Sequence, residues 1–249
     1  MLLLYLQTQS SNVQCQIKSK CQKQKFLHLV IWYWFVIWIL KFEIITNMDF
    51  IFSIIILIFS VMVHEVSHGY AAYLQGDNTA KFAGRLNLNP LNHLDPFGSI
   101  VLPMMSYFMG GFIIGWAKPV PFNPYNLRNQ RWGEAWVAFA GPLANIAIAL
   151  FFGLLLRFGG LLSLSAGFVQ IAASIVIINL ILAIFNLIPV PPLDGSKVLF
   201  SFFPNSLLEA RAFLERNGLF IMIFFIVFLW RFFVPVVFYL FQLITGLAI

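Results

Sequence analysis

Phe50 to Leu74 reads FIFSIIILIFSVMVHEVSHGYAAYL, 25 residues that decide the fold class. A hydrocarbon core of roughly 30 Å needs about 20 apolar residues per crossing helix, and this run is long enough. It ends at Gly76, Asp77 and Asn78, which are helix stop signals. Its second half nevertheless carries His64, Glu65 and His68. An ionisable residue inside a membrane helix costs roughly 2.5–3.5 kcal/mol on insertion scales, so three of them clustered in one span demand a compensating role.

The rest of the chain agrees with a membrane setting. Of its 249 residues 61% are hydrophobic and only 10% charged, and 29 are phenylalanine, which excludes a soluble domain with a polar exterior. The expected fold is an all-α polytopic membrane protein embedded in a lipid bilayer. A net charge of +6 raises the question of nucleic acid, but the Lys and Arg residues lie between apolar segments, where orientation signals and anionic lipid contacts belong. No nucleic-acid partner is expected. Cys15 and Cys21 fit neither a zinc knuckle nor a CxxC redox pair and read as free thiols.

Residues 1–47 differ in character, a Gln/Lys/Ser-rich stretch followed by the aromatic-heavy run Phe26 to Leu40. They read as an extension, with Met48 opening the natural core. Residues 48–203 form the expected catalytic membrane domain, and 204–249 a hydrophobic tail with one or two membrane segments. Within the core, a second helix is expected over about Trp132–Leu156 and a third over about Phe168–Leu187. The apolar stretch Ser99–Trp116 is interrupted by Pro103, Gly110 and Gly111 and is poor for a straight helix. No internal repeat is visible.

His64-Glu65-Val66-Ser67-His68 is an HExxH pattern, and its spacing carries the chemistry. Residues four apart share a helix face, so both imidazoles can bind one zinc ion while Glu65 reaches a water beside it. Zinc makes such water acidic near pH 7, and a carboxylate can then act as general base in peptide hydrolysis. A chance HExxH on a surface helix is the bland alternative, and the membrane context weighs against it. Catalytic zinc sites use three protein ligands. Asp194, in PPLDG after the third helix, is the best third candidate, although Asp-Gly is also ordinary turn chemistry.

HEVSH on the first helix, AGPLAN (Ala140 to Asn145) on the second and FNLIPVPPLDG (Phe185 to Gly195) ending the third together resemble the site-2 protease family. GRLNLNPLNHLDPFG and GWAKPVPFNP resemble its small bacterial-type members that lack a PDZ domain. The likeness spans about Met48 to Phe203. It implies that His64, His68 and Asp194 are zinc ligands and Glu65 the catalytic acid/base. It also implies that Asn186 lies near the active site, where its amide could steady an extended substrate; an interhelical hydrogen bond is the competing reading. Asn145, beside Gly141 and Pro142, reads as helix packing, and His93 with Asp95 as interfacial turn residues.

His64 and His68 lie late in the first helix and Asp194 just past the third, so both must stand on the same side of the bilayer. That requires an even number of crossings between them, and Ser99–Trp116 is therefore expected to be re-entrant or interfacial. Lys81, Arg85, Lys118, Arg128, Arg131, Lys197, Arg211 and Arg216 then share one side and Arg157 stands opposite. The positive-inside rule makes the basic side cytoplasmic. The expected activity is intramembrane proteolysis: hydrolysis of peptide bonds in or near transmembrane segments of other membrane proteins, at a site opening to the cytoplasm of a bacterial-type cell membrane. Because the substrate must be extended, Leu86–Pro90 or the apolar stretch after it could offer a pairing edge. A transporter or a proton or metal relay using the same His/Glu/Asp cluster is the rival, favoured by repeated half-domains with interrupted helices.

Overall fold

A computed structural model of the chain describes residues 50–93, 118–159, 163–203 and 207–247, with residues 95, 97, 101 and 105 between the first two segments. The extension 1–47 and the stretch Ser99–Trp116, apart from residues 101 and 105, lie outside the described residues. Among those described there is no strand. Three helices are long and apolar enough to cross a membrane: α1 (Phe50–Leu74), α4 (Gly133–Arg157) and α5 (Ala166–Asn186). Shorter elements are α2 (Thr79–Phe82), α3 (Pro90–His93) and a 3-10 turn (Pro124–Asn126) between α1 and α4, and α6 (Asp194–Ser201) after α5. The tail is α7 (Leu208–Phe224), a π-helical turn (Phe225–Leu229) and α8 (Trp230–Thr245) without a break in helical backbone.

The helix ends follow local chemistry. Gly76 takes φ +103°, and the N–H groups of Gly76 and Asp77 return to the carbonyls of Tyr73 and Ala72, each at 3.0 Å, which closes α1 in a Schellman turn. The Ser165 hydroxyl caps α5 by accepting from the Phe168 N–H.

α1 and α5 run in the same direction, and α4 runs against them. At one end Gln75 donates to the Gly133 carbonyl; further along, the Asn179 amide donates to the Ser60 hydroxyl at 2.9 Å, and Leu57 and Val61 pack on Ile178 and Leu182. The C-terminal end of α1, the start of α4 and the end of α5 therefore share one end of the bundle. The main core joins α4 and α5 to the tail through Ala149, Leu156, Val176, Phe185, Met222 and Phe241, all buried.

The tail runs from one end of this bundle to the other once. Arg211 of α7 lies 3.9 Å from Glu134 at the start of α4, while Arg157 at the far end of α4 donates to the Leu243 carbonyl. Flanking the undescribed stretch, the Lys118 N–H donates to the His93 carbonyl at 2.8 Å, so the chain leaves and re-enters the described structure at one place.

Candidate metal centre and catalytic carboxylate

α1 places His64 and His68 one turn apart on one face, their rings edge to face with centroids 4.6 Å apart and their Nε2 atoms 3.0 Å apart. Asp194, the first residue of α6, brings its Oδ2 to 3.2 Å from each of these nitrogens across 130 residues of sequence. The side chain is therefore turned into the bundle and does not cap its own helix, whose N-cap is Leu193. All three residues are buried, and they are a group able to hold a metal ion.

The donor set fits zinc. Its three atoms form a triangle with sides 3.0, 3.2 and 3.2 Å. A tetrahedral zinc with ligands at about 2.0–2.1 Å holds its donor atoms roughly 3.3 Å apart. The His68 Nδ1 donates to the Val137 carbonyl at 2.7 Å, which leaves Nε2 with its lone pair directed at the common point. Two imidazole nitrogens and a carboxylate oxygen converging there, away from bulk water, call for a cation.

α4 makes that convergence sterically possible. A Cβ at Gly141 would lie 2.5 Å from His68 Nε2 and 2.6 Å from His64 Nε2 and Cε1, so the bare backbone of α4 forms one wall of the centre. Asn145, four residues further along, is wholly buried, in keeping with a packing position.

Glu65 points to a different neighbour. Its Oε2 accepts the Val120 N–H at 3.1 Å. Lys118 and Val120 each precede a proline, which biases both towards extended backbone, and Pro119 and Pro121 have no N–H to give. Val120 thus supplies the sole N–H of the Pro119-Val120-Pro121 triplet, and Glu65 takes it. On the other side of this strap, Arg85 Nη2 donates to the carbonyls of Lys118 at 3.2 Å and Pro119 at 3.5 Å. Arg85 is itself buried. Burial pushes its guanidinium down from the ordinary value and the charge of Glu65 works in the opposite direction; an arginine remains charged at any working pH.

The remaining candidates fall elsewhere. Asn186 is buried at the end of α5, and its amide donates to the Leu182 carbonyl of its own helix at 2.9 Å. His93 donates from Nε2 to the Asn87 carbonyl at 2.8 Å, and Asp95 accepts the Phe97 N–H, both within the connecting turns. Leu86–Pro90 is a set of turns closed by Asn87, whose amide reaches the Gly84 carbonyl and whose Oδ1 accepts the Asn89 N–H. It is not the extended edge the sequence suggested, because asparagine side chains satisfy the backbone locally. Sequence reasoning missed Val137, Arg85 and Val120, and it took Gly141 only for packing. Two signals were available, the small residue inside AGPLAN and the paired prolines of KPVP.

Comparison with known proteins identifies the family of the chain. The profile of peptidase family M50 matches residues 52–161 and 159–229. A Bacillus subtilis protein named "Putative zinc metalloprotease YwhC" is 38% identical over 190 residues, 74% of this chain and 81% of that relative. The similarly named Rip2 proteins of Mycolicibacterium smegmatis and Mycobacterium tuberculosis are 32% and 31% identical over 91 residues, 36% of this chain and 34% of theirs. No solved structure matches the chain.

Proposed function

The chain belongs to peptidase family M50 and is a zinc metalloprotease of the membrane, and from that premise we propose that it cuts peptide bonds in or near transmembrane segments of other membrane proteins. The observation that carries this reading is the meeting of His64, His68 and Asp194 inside a bundle of apolar helices. By helical rise, His68 and His64 lie about 9 and 15 Å along α1 from Leu74. In this reading the three residues hold zinc, and residues 48–203 are the catalytic domain, with 204–249 crossing once beside α4.

When bound, zinc supplies the Lewis acid that acidifies water and polarises the scissile carbonyl. The protein does the rest. Glu65, with one oxygen held by Val120, keeps the other for the water that attacks the carbonyl carbon. It takes the water's proton and later gives it to the leaving amine nitrogen as the C–N bond breaks, so the products are a carboxylate and an amine. The bundle excludes bulk water from the peptide, which must be locally unwound because a helix buries its own peptide bonds. In the same reading Asn186, buried at the end of α5, turns its amide from the Leu182 carbonyl to steady the extended substrate.

The centre opens to the cytoplasm in this reading. Lys118, Arg128, Lys197 and Arg211 gather at the site end of the bundle, where Arg128 N–H reaches the Gln75 carbonyl and Lys197 lies 3.9 Å from Asp194. Arg157 stands at the other end. The positive-inside rule then directs the basic end to the cytoplasmic face of the cell membrane. The return of the chain at His93 and Lys118 supports a re-entrant or interfacial course for the stretch between them.

The test is cleavage of a single-pass membrane substrate by the purified protein and by Glu65→Gln, with bound zinc measured in both. Zinc near one per chain in each, with at least a ~10²-fold loss of cleavage in the variant, is the expected result. Undiminished cleavage by Glu65→Gln would remove Glu65 from its role, and a folded wild-type protein that binds no zinc would remove the metal assignment.

A further inference from the structure

One peptide unit links two charged groups that lie 20 residues apart in sequence, Glu65 and Arg85. The peptide between Pro119 and Val120 gives its N–H to Glu65 Oε2 at 3.1 Å and its carbonyl to Arg85 Nη2 at 3.5 Å, and the same nitrogen holds the Lys118 carbonyl at 3.2 Å. Arg85 is thus a buried cation that donates to the carbonyls of Lys118 and Pro119, and it makes no ion pair among the described residues. Burying a guanidinium without a directly paired carboxylate is costly, and the cost is offset only if its position achieves something.

We propose that Arg85 is a positioning residue for Glu65, acting through the Pro119-Val120 peptide: the guanidinium fixes the strap, and the strap's only N–H fixes the carboxylate. The inference rests on Glu65 being the catalytic base.

Three features of the site make the arrangement specific. Proline on both sides of Val120 removes every competing donor from the strap, so the strap can offer Glu65 one hydrogen bond and no alternative register. The strap is seated closely: a Cβ at Gly69, one turn beyond Glu65 on the same helix, would lie 2.5 Å from Val120 Cγ1 and 2.9 Å from Leu86 Cδ2, so the bare backbone of Gly69 gives the strap and the Arg85 loop room against α1. A positive charge at the carbonyl end of a peptide also strengthens donation from its N–H, because the hydrogen bonds of one chain polarise each other. A glutamate has three rotatable bonds, and a base misplaced by about 1 Å costs on the order of 10²-fold in rate. The strap removes that freedom on one oxygen and leaves the other to the reaction.

The experiment measures kcat, KM and bound zinc for wild type, R85K and R85Q on a single-pass membrane substrate in detergent, and repeats R85Q in an E65D background. For R85Q kcat is expected to fall about 10–100-fold, the range typical of outer-shell partners, with KM and zinc content within twofold of wild type. R85K keeps the charge but not the planar guanidinium that directs Nη2 at both carbonyls, and its kcat is expected between the two. In E65D the shortened acid no longer reaches Val120, so R85Q is expected to cost little more there. A wild-type kcat in R85Q or R85K overturns the proposal, as does the same fold-loss from R85Q in both backgrounds, which would mark Arg85 as a structural pin only. If R85Q is not recovered folded, R85K alone decides by the same split of kcat from KM. Glu65→Gln, run alongside, separates the two readings: if it cleaves like wild type, the base assignment fails and the positioning role with it, whereas an inactive Glu65→Gln beside an unaffected R85K removes only the positioning role.

Discussion

At Gly141 the wall of the metal centre is backbone. A methyl group there would stand 2.5 Å from His68 Nε2 and 2.6 Å from His64 Nε2, and neither imidazole can yield, because both must keep their nitrogens on the point shared with Asp194. Gly141→Ala is therefore expected to lower zinc affinity by at least about 10-fold and cleavage with it, while the helix, which gains propensity from alanine, persists. Metal titration of the purified variant checks this, and wild-type affinity would show that α4 can move aside. The position illustrates how unevenly the site could be read beforehand. His64, Glu65 and His68 were legible because one helix carries the two histidines four residues apart with Glu65 beside them, and lipid makes their presence costly. Asp194 was legible only in company with them. Gly141, Val137, Arg85 and Val120 act through space on residues 20 to 77 positions away, and neither periodicity nor composition encodes such pairings.

The junction between α1 and the loop before α4 hangs on Asp77. It is wholly buried, and its carboxylate accepts from the Thr79 N–H, the Thr79 hydroxyl, the Asn126 amide and the Asn123 N–H at 2.6 Å. Burial pushes its pKa up, but these four donors outweigh burial and hold it below the usual carboxylate value. A carboxylate with a depressed folded pKa contributes stability that is complete above its unfolded pKa of about 3.9 and is lost as the pH falls through the folded value. Asp77→Asn keeps one acceptor oxygen and turns an NH2 group towards the Asn123 N–H or the Asn126 amide. It is expected to cost roughly 1.5–3 kcal/mol at neutral pH, with the difference from wild type narrowing below about pH 3.9. Thermal unfolding in detergent at pH 7 and near pH 3 tests both statements; a gap that stays constant with pH would assign the loss to packing. The element boundaries themselves were well marked in the sequence. The helices expected at Trp132–Leu156 and Phe168–Leu187 are Gly133–Arg157 and Ala166–Asn186, because apolar length and capping residues fix them locally. That the tail runs along the bundle once, from one end to the other, was not legible. It depends on Arg211 meeting Glu134 and on Arg157 meeting Leu243, and local hydropathy is the same whether a helix continues or folds back.

Taken whole, the protein has two unlike ends and an apolar flank. Phe52, Phe59, Leu143, Phe151, Phe224 and Phe232 are exposed on α1, α4, α7 and α8, a distribution that would favour aggregation in water and suits contact with acyl chains. Between the ends the apolar helices are interrupted by the His/Glu cluster, by small or amide side chains such as the buried Ser53, Ser60, Asn145 and Asn179, and by Arg231 in the tail. The proposed orientation rests on the ends alone. Arg128, beside Gln75, shares the metal-centre end with Arg85, Lys118 and Lys197, whereas Ser163 follows α4 at the end that carries Arg157. Each basic residue near the membrane surface on the anionic cytoplasmic side is worth about 1 kcal/mol, so four or more against one set a strong bias. With Cys15 and Cys21 replaced by serine, R128C is expected to react with a membrane-impermeant maleimide only after the cells are permeabilised, and S163C to react in intact cells. Labelling of R128C from outside would invert the molecule and open its centre to the exterior. Labelling of both positions from the same side would contradict the antiparallel course of α4 itself, since α4 is the element that separates them.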